Sequence, residues 1–273
     1  MLSKNIYRIC TAGIAIAALF LCSDIKAAVF VDYFIPTTPQ PEPFSMGPGE
    51  SLKTILATDS SEITITGGAI TNLQESFSRS AVRLTDDAKT YISGGHMRVH
   101  TRSGVTFGTP VLHVEDNSEM AISGGLFESF GNSDYVIDVG DSVNVFISGG
   151  RFVGHNSDVV RLPFIASNAV LTIRGGQFLA LRSNDVDLSI GDGTVNILAR
   201  EAKLGGSPIG FGEVTAGTGI LSVVYQNGDL EDISFQKSSS GIINLISVPE
   251  PCSLTLLVVT AAFVGSICRR RKA

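Results

Sequence analysis

Between residues 55 and 180 the chain alternates apolar and polar positions in short bursts, and each burst ends on two glycines. The phrases ITITGG, TYISGG, MAISGG, NVFISGG and LTIRGG place the first glycine at Gly67, Gly94, Gly124, Gly149 and Gly175, at intervals of 27, 30, 25 and 26 residues. Two residues before that glycine stands isoleucine every time: Ile65, Ile92, Ile122, Ile147 and Ile173. Ten before it are Ala57, Leu84, Val114, Val139 and Ile165, and three after it Ile70, Met97, Phe127, Phe152 and Phe178.

Period-two alternation over four to six residues predicts half-buried strands, and the glycine pair predicts a corner that a side chain or a left-handed backbone would otherwise prevent. Three short strands and three turns in about 27 residues make one coil of a solenoid whose like positions stack ~4.8 Å apart. The sequence therefore predicts an all-β, single-stranded parallel β-helix of five to six coils, right-handed if it follows the commoner form. A lone coil cannot bury its inner face, so stability has to come from stacking. The competing fold is an antiparallel sandwich with unrelated glycines, which the stacked isoleucines oppose. In a degraded sixth copy, Leu188, Ile190 and Leu198 are expected to point inward, and Arg200-Glu201 in place of Gly-Gly is expected to end the helix. Residues 201–247 read as a β-rich cap, with Asn227-Gly228 as a two-residue hairpin turn. The expected organisation is 1–27 signal peptide, 28–50 proline-rich leader, 51–200 solenoid, 201–247 cap and 248–273 sorting segment.

The two ends follow a different pattern. Lys4 and Arg8 precede an apolar run over residues 9–22, and Ala27-Ala28 offer small residues for signal peptidase. At the other end, Pro249-Glu250-Pro251 is followed by sixteen uncharged residues, 253–268, and then by Arg269, Arg270, Arg271 and Lys272. Such a run makes about 24 Å of helix, slightly short of a ~30 Å hydrocarbon core. A permanent tail anchor is one reading, and a segment that is recognised and removed is the other. This tripartite tail resembles the PEP-CTERM sorting signal of certain Gram-negative bacteria. The resemblance covers the last twenty-six residues. It implies recognition of Pro249, Glu250 and Pro251 by an exosortase-type membrane protease, with export to the cell surface or extracellular matrix of exopolysaccharide- and biofilm-forming cells. Pro41-Glu42-Pro43 repeats the tripeptide without a span or basic end behind it.

Processing changes what the composition means. Cys10, Cys22, Cys252 and Cys268 all lie in the two ends, so a trimmed body would have no thiol for disulfides or metal sites. The whole chain carries 20 Lys and Arg against 26 Asp and Glu. Loss of both ends removes seven of those cations and one acid, leaving a body near −12. An acidic body argues against nucleic acid and anionic membrane surfaces as partners. The expected partners are signal peptidase, an exosortase and exopolysaccharide, with membrane contact through the processed ends alone.

Candidate chemistry is sparse. Eight residues before the glycine stand Asp59, Asp86, Asp116 and Asp141, then Ser167, with Asp192 in the degraded copy. Stacked carboxylates are weak candidates for calcium, and no other cofactor is expected. The plainer reading makes them corner residues bonded to their own backbone. His96 and His100 fall in and after one third strand, His113 and His155 belong to other coils, and the four form no recognised motif, so they read as ordinary surface histidines. Neither the carboxylates nor Arg83, Arg102, Arg151, Arg161 and Arg182 form a local catalytic set, and no catalytic residue is assigned. Phe77, Phe107 and Phe130 are the aromatic residues in the variable loops, few for a sugar-binding surface. The expected function is a structural or adhesion protein of the surface or matrix. The alternative is a polysaccharide lyase or glycoside hydrolase on the same scaffold.

Overall fold

A computed structural model describes residues 44–73, 80–100, 109–130, 135–156, 158–162, 168–182 and 186–249, and all regular structure among them is β-strand. Ala27, Ala28, Glu250, Pro251, the 253–268 run and the terminal cations lie outside those residues. Among the described residues no helix is long and apolar enough to cross a membrane.

The protein is a parallel β-helix. Three strands recur in order, as Ile55–Ala57, Glu62–Ile65 and Ala69–Leu73, then Val82–Leu84, Lys89–Ile92 and His96–His100. The next triplets are Leu112–Val114, Glu119–Ile122 and Leu126–Ser129, then Ile137–Val139, Asn144–Ile147 and Arg151–Gly154. A fifth comprises Val160–Leu162, Val170–Ile173 and Gln177–Ala180. Each strand pairs in parallel with its counterpart in the next triplet, so the strands form a first, a second and a third face around one core.

The inward rows are continuous. On the second face Ile65, Ile92, Ile122, Ile147 and Ile173 are buried, and Ile197 and Leu245 extend the row. On the third face the rings of Phe127 and Phe152 stack at 4.8 Å, and those of Phe152 and Phe178 at 5.1 Å. A stacked ring keeps contact with the same chemistry above and below, which a parallel in-register sheet imposes on every inward row. The glycine corners are as tight as the sequence suggests. A Cβ on Gly149 would lie 2.4 Å from the carbonyl oxygen of Ser123 one coil away, and Gly150 has φ of 100°, the region that favours glycine.

Two expectations about register are corrected. The fifth triplet uses Leu162, not Ile165, beside Val139 on the first face, because its next corner contains three more residues than the preceding one. Ile165 and Ser167 lie outside the described residues. In the sixth copy Leu188 and Ile190 point inward, but Val195, Ile197 and Ala199 take the following inward positions while Leu198 is half-exposed. Corner lengths differ between coils, and counting back from a fixed glycine position carries that difference into every earlier residue.

The solenoid also extends past both expected limits. Phe44–Met46 pairs with Glu62–Ile65, and Ser51–Leu52 with the start of Ala69–Leu73, so the end of the expected leader already belongs to the stack. Beyond Arg200 the chain forms antiparallel strands Glu201–Leu204, Thr218–Val224 and Leu230–Lys237. Leu230–Lys237 then lies parallel to Leu188–Ile190, and Ile242–Ser247 parallel to Thr194–Ala199. The cap thus adds one more coil to two faces. Its hairpin is not a two-residue turn: Tyr225 N donates to Asp229 O, Gly228 N donates to Tyr225 O, and Gly228 has φ of 93°. Gln226, Asn227 and Gly228 form a three-residue loop with glycine in the left-handed position.

On the third face Gln177–Ala180 is the last strand. Its backbone N–H groups at Phe178 and Ala180 donate to the carboxylates of Glu231 and Asp187, both at 2.9 Å. Asp187 also accepts from the backbone N–H and the hydroxyl of Ser234 in the cap. Side chains therefore satisfy an edge that another strand would otherwise pair.

Phe152 has a ring on each side, so Phe152→Ala is expected to destabilise the protein by about 3–5 kcal/mol. Exposed Phe146→Ala, on the outer surface, is expected to stay within about 0.5 kcal/mol. Urea-denaturation midpoints measure both.

Candidate functional site

Inward positions are fixed by packing, so chemistry has to come from outward side chains and corners. The predicted aspartate column occupies the corner between the first and second faces. Asp59, Asp86, Asp116 and Asp141 all have positive φ, from 54° to 61°, a region that aspartate enters more readily than most residues. The carboxylates of Asp86, Asp116 and Asp141 bond to the neighbouring coil, and Asp86 Oδ2 also accepts from Thr85 Oγ1 of its own turn at 3.2 Å. Asp86 Oδ2 accepts from Asp59 N at 3.1 Å, Asp116 Oδ2 from Asp86 N at 3.0 Å, and Asp141 Oδ2 from Asp116 N at 3.4 Å. Each aspartate thus supplies a turn conformation, and the carboxylates of Asp86, Asp116 and Asp141 add a bond between coils. Among the described residues no group of three or more His, Cys, Asp or Glu is arranged to hold a metal.

The first face carries a row of charged residues across four coils. Register places Arg83 beside His113, His113 beside Asp138 and Asp138 beside Arg161. Glu115, in the corner after Leu112–Val114, accepts from His113 Nε2 at 2.7 Å and from Arg83 Nη2 at 2.7 Å. The His113 bond, helped by Arg83, holds the Glu115 carboxyl down at about 2. Asp138 shifts the other way: burial raises it, against the pull of His113 and Arg161. Its Oδ1 is buried with no hydrogen-bond partner among the described residues. Arg161 lies 4.6 Å over the ring of Tyr135, whose hydroxyl burial shifts upward. Glu115 and Asp138 lie near His113 with shifts in opposite directions, a difference that can set unlike roles in acid–base chemistry.

The third face brings His155 together with His96 and His100, which share one strand two coils away. His96 Nε2 lies 2.7 Å from Glu128 Oε2, and His155 Nε2 lies 3.4 Å from Oε1 of the same carboxylate. The Phe130 ring is sandwiched between His100 at 4.3 Å and His155 at 4.0 Å. Burial works to raise the Glu128 carboxyl, and the bonds from His96 and His155 outweigh it, so the net shift is downward. Burial and nearby Arg98 lower the His100 imidazole. His96, Glu128 and His155 stand two, four and six residues after the first glycine of three successive coils, a diagonal visible only once the coils are aligned.

The second face is different again. Its central outward row reads Thr64, Tyr91, Ala121, Phe146, Thr172, Asn196 and Asn244, without a charge. Tyr91 and Phe146 are exposed, at 45% and 38%. Ala121 lies between them, and hollows of about 200 and 280 Å³ open on the two sides of that row. These aromatics escape a search confined to loops; the signal is an aromatic three positions before Gly-Gly in TYISGG and NVFISGG.

No protein-family model, curated protein or solved structure matches this chain.

Asp116→Asn is expected to change stability by less than about 0.5 kcal/mol, whereas Asp116→Val, which puts a branched side chain in the left-handed region, should cost about 1–2 kcal/mol. A chelator is expected to leave the calorimetric midpoint unchanged, since the bonds between coils satisfy the ladder; a rise with millimolar calcium would assign it to metal.

Glu115 gives a separate pH dependence. Its lowered pKa makes its stabilising contribution complete above the unfolded value near 4.5, and lost as pH falls toward about 2. The wild-type advantage over Glu115→Gln, measured by urea denaturation, should therefore shrink across that window.

Proposed function

We propose that the protein is an exported structural or adhesion component of the cell surface or extracellular matrix, associated with exopolysaccharide. The supporting observation is the body itself, a stack of in-register coils with an unbroken core and a capped far end. Such a body is a stiff spacer, because bending it would break hydrogen bonds between coils on at least one face. It also holds its outer rows in fixed alignment, as a multivalent contact surface requires. The sequence at the ends supplies the route: a signal peptide ending near Ala27, and a PEP-CTERM-like tail with Pro249, Glu250 and Pro251 ahead of the apolar run and basic terminus. In this reading signal peptidase removes the first segment and an exosortase the second, and the membrane holds the chain only in transit.

Intact-mass measurement of the protein from the cell exterior tests this directly. The expected mass lacks residues 1–27 and the segment following the Pro-Glu-Pro motif, and Glu250→Ala should leave the tail attached in the membrane fraction. A full-length product in the cytosol would overturn the reading.

A second reading, a glycan hydrolase, has one specific observation in its favour: the opposed shifts of Asp138 and Glu115, both near His113. In that reaction Asp138 would protonate the leaving oxygen as the glycosidic C–O bond breaks, and Glu115 would support the developing positive charge. Water would add to the anomeric carbon, returning a proton to Asp138. Reducing-end assays over neutral and acidic glycans decide between the readings. Activity lost in both Asp138→Asn and Glu115→Gln would establish hydrolysis, and no release by the wild type would exclude it for those glycans.

A further inference from the structure

We infer that the second face is a binding track for an uncharged, extended glycan chain, seated along the solenoid axis against Tyr91 and Phe146. This deepens the exopolysaccharide reading by naming the ligand class and the residues that meet it.

The geometry begins with the strand register. Tyr91, Ala121 and Phe146 are direct neighbours on adjacent strands, so the two rings stand two coils apart, about 9.6 Å at ~4.8 Å per strand. The methyl of Ala121 leaves a notch between them, and the two hollows flank that notch. An aromatic–small–aromatic series along one axis presents two separated ring faces to a linear polymer lying over all three positions. Pyranose rings carry an apolar C–H face that packs on an aromatic ring and hydroxyl edges that need hydrogen-bond partners.

Those partners are arranged beside the rings. Ser93, Ser123 and Ser148 form an exposed row one step from the glycine corner. The Ser148 hydroxyl donates to the Ile122 carbonyl oxygen at 3.3 Å, and that of Ser123 to the Ile92 carbonyl oxygen at 3.5 Å. With its proton committed to the backbone, each hydroxyl turns acceptor lone pairs outward. Asn144 and Thr172 supply further polar groups at one hollow, and Thr64 at the other.

Charge selects among occupants. The central row holds no ionised side chain, and the charges at its margins, Glu62, Lys89 and Glu119 on one side and Arg174 on the other, balance. The body is strongly acidic, so a uronate polymer or a second copy of this chain would meet net repulsion. A neutral glycan meets none. Loss of water from two exposed rings is favourable for a ligand with an apolar face.

The test uses the full-length chain purified in mild detergent and titrated calorimetrically with cellohexaose, laminarihexaose and mannohexaose, and with polygalacturonate as the charged control. The expected result is sub-millimolar binding of at least one neutral hexaose. Tyr91→Ala and Phe146→Ala should each weaken it roughly tenfold or more, Tyr91→Phe should retain it, and Ala121→Lys, which fills the notch, should abolish it. Unchanged far-ultraviolet circular dichroism and melting temperature would confirm that these exposed substitutions leave the fold intact. Absence of binding to all three hexaoses overturns the inference. So does binding indifferent to both ring substitutions, binding of polygalacturonate as tight as the best hexaose, or concentration-dependent dimerisation in sedimentation that both ring substitutions remove. The titration needs no export, and the mass of the exported protein needs no glycan, so each reading can fail without the other.

Discussion

Parallel hydrogen bonding between successive coils is the constraint from which the rest of this protein follows. In-register pairing places each residue beside its counterpart, so inward positions become rows that must be compatible with themselves. Isoleucine stacks on isoleucine and phenylalanine on phenylalanine because a single misfit would be felt in the coil above and the coil below. The glycine corner belongs to the same constraint. With the Ser123 carbonyl 2.4 Å from where a Gly149 Cβ would lie, the backbones already touch, and the spacing leaves no room for a side chain.

Outward rows are not bound by packing, and the three faces have diverged in character. The first holds basic residues around Asp138, the second uncharged polar and aromatic residues, and the third imidazoles gathered around Glu128 and Phe130. The corner aspartates link the two kinds of position. Their backbone is locked by the turn, while their carboxylates tie one coil to the next at the solvent edge. Glycine could adopt the same φ but could not accept that bond, which gives aspartate a physical reason to recur there.

The core was readable in the sequence because self-stacking repeats its signal. Five isoleucines at one offset, and the aliphatic-to-aromatic series ending in Phe178, identify strands, corners and inward faces together. The reading failed where a corner changed length. Leu162 replaced Ile165 and Ile197 replaced Leu198 because an offset counted along the chain ignores residues added to one corner and lost from the next. Asn227-Gly228 signalled a turn without fixing its size, since the left-handed glycine serves both the two- and three-residue forms. The sites were harder to see. His96 and His155 reach Glu128 diagonally across coils, and Tyr91 and Phe146 become a pair only through the alanine between them. Such proximity exists in register space and not in sequence distance.

The edge of Gln177–Ala180 has a wider consequence. A parallel stack is a template that invites the next strand, from its own chain or from a stranger's. By turning Glu231 and Asp187 onto two of the N–H groups there, the protein occupies its growing end with groups that donate no strand of their own. Rod length is thereby written into the gene: where many molecules crowd together, this architecture favours discrete units of one size over runaway fibres.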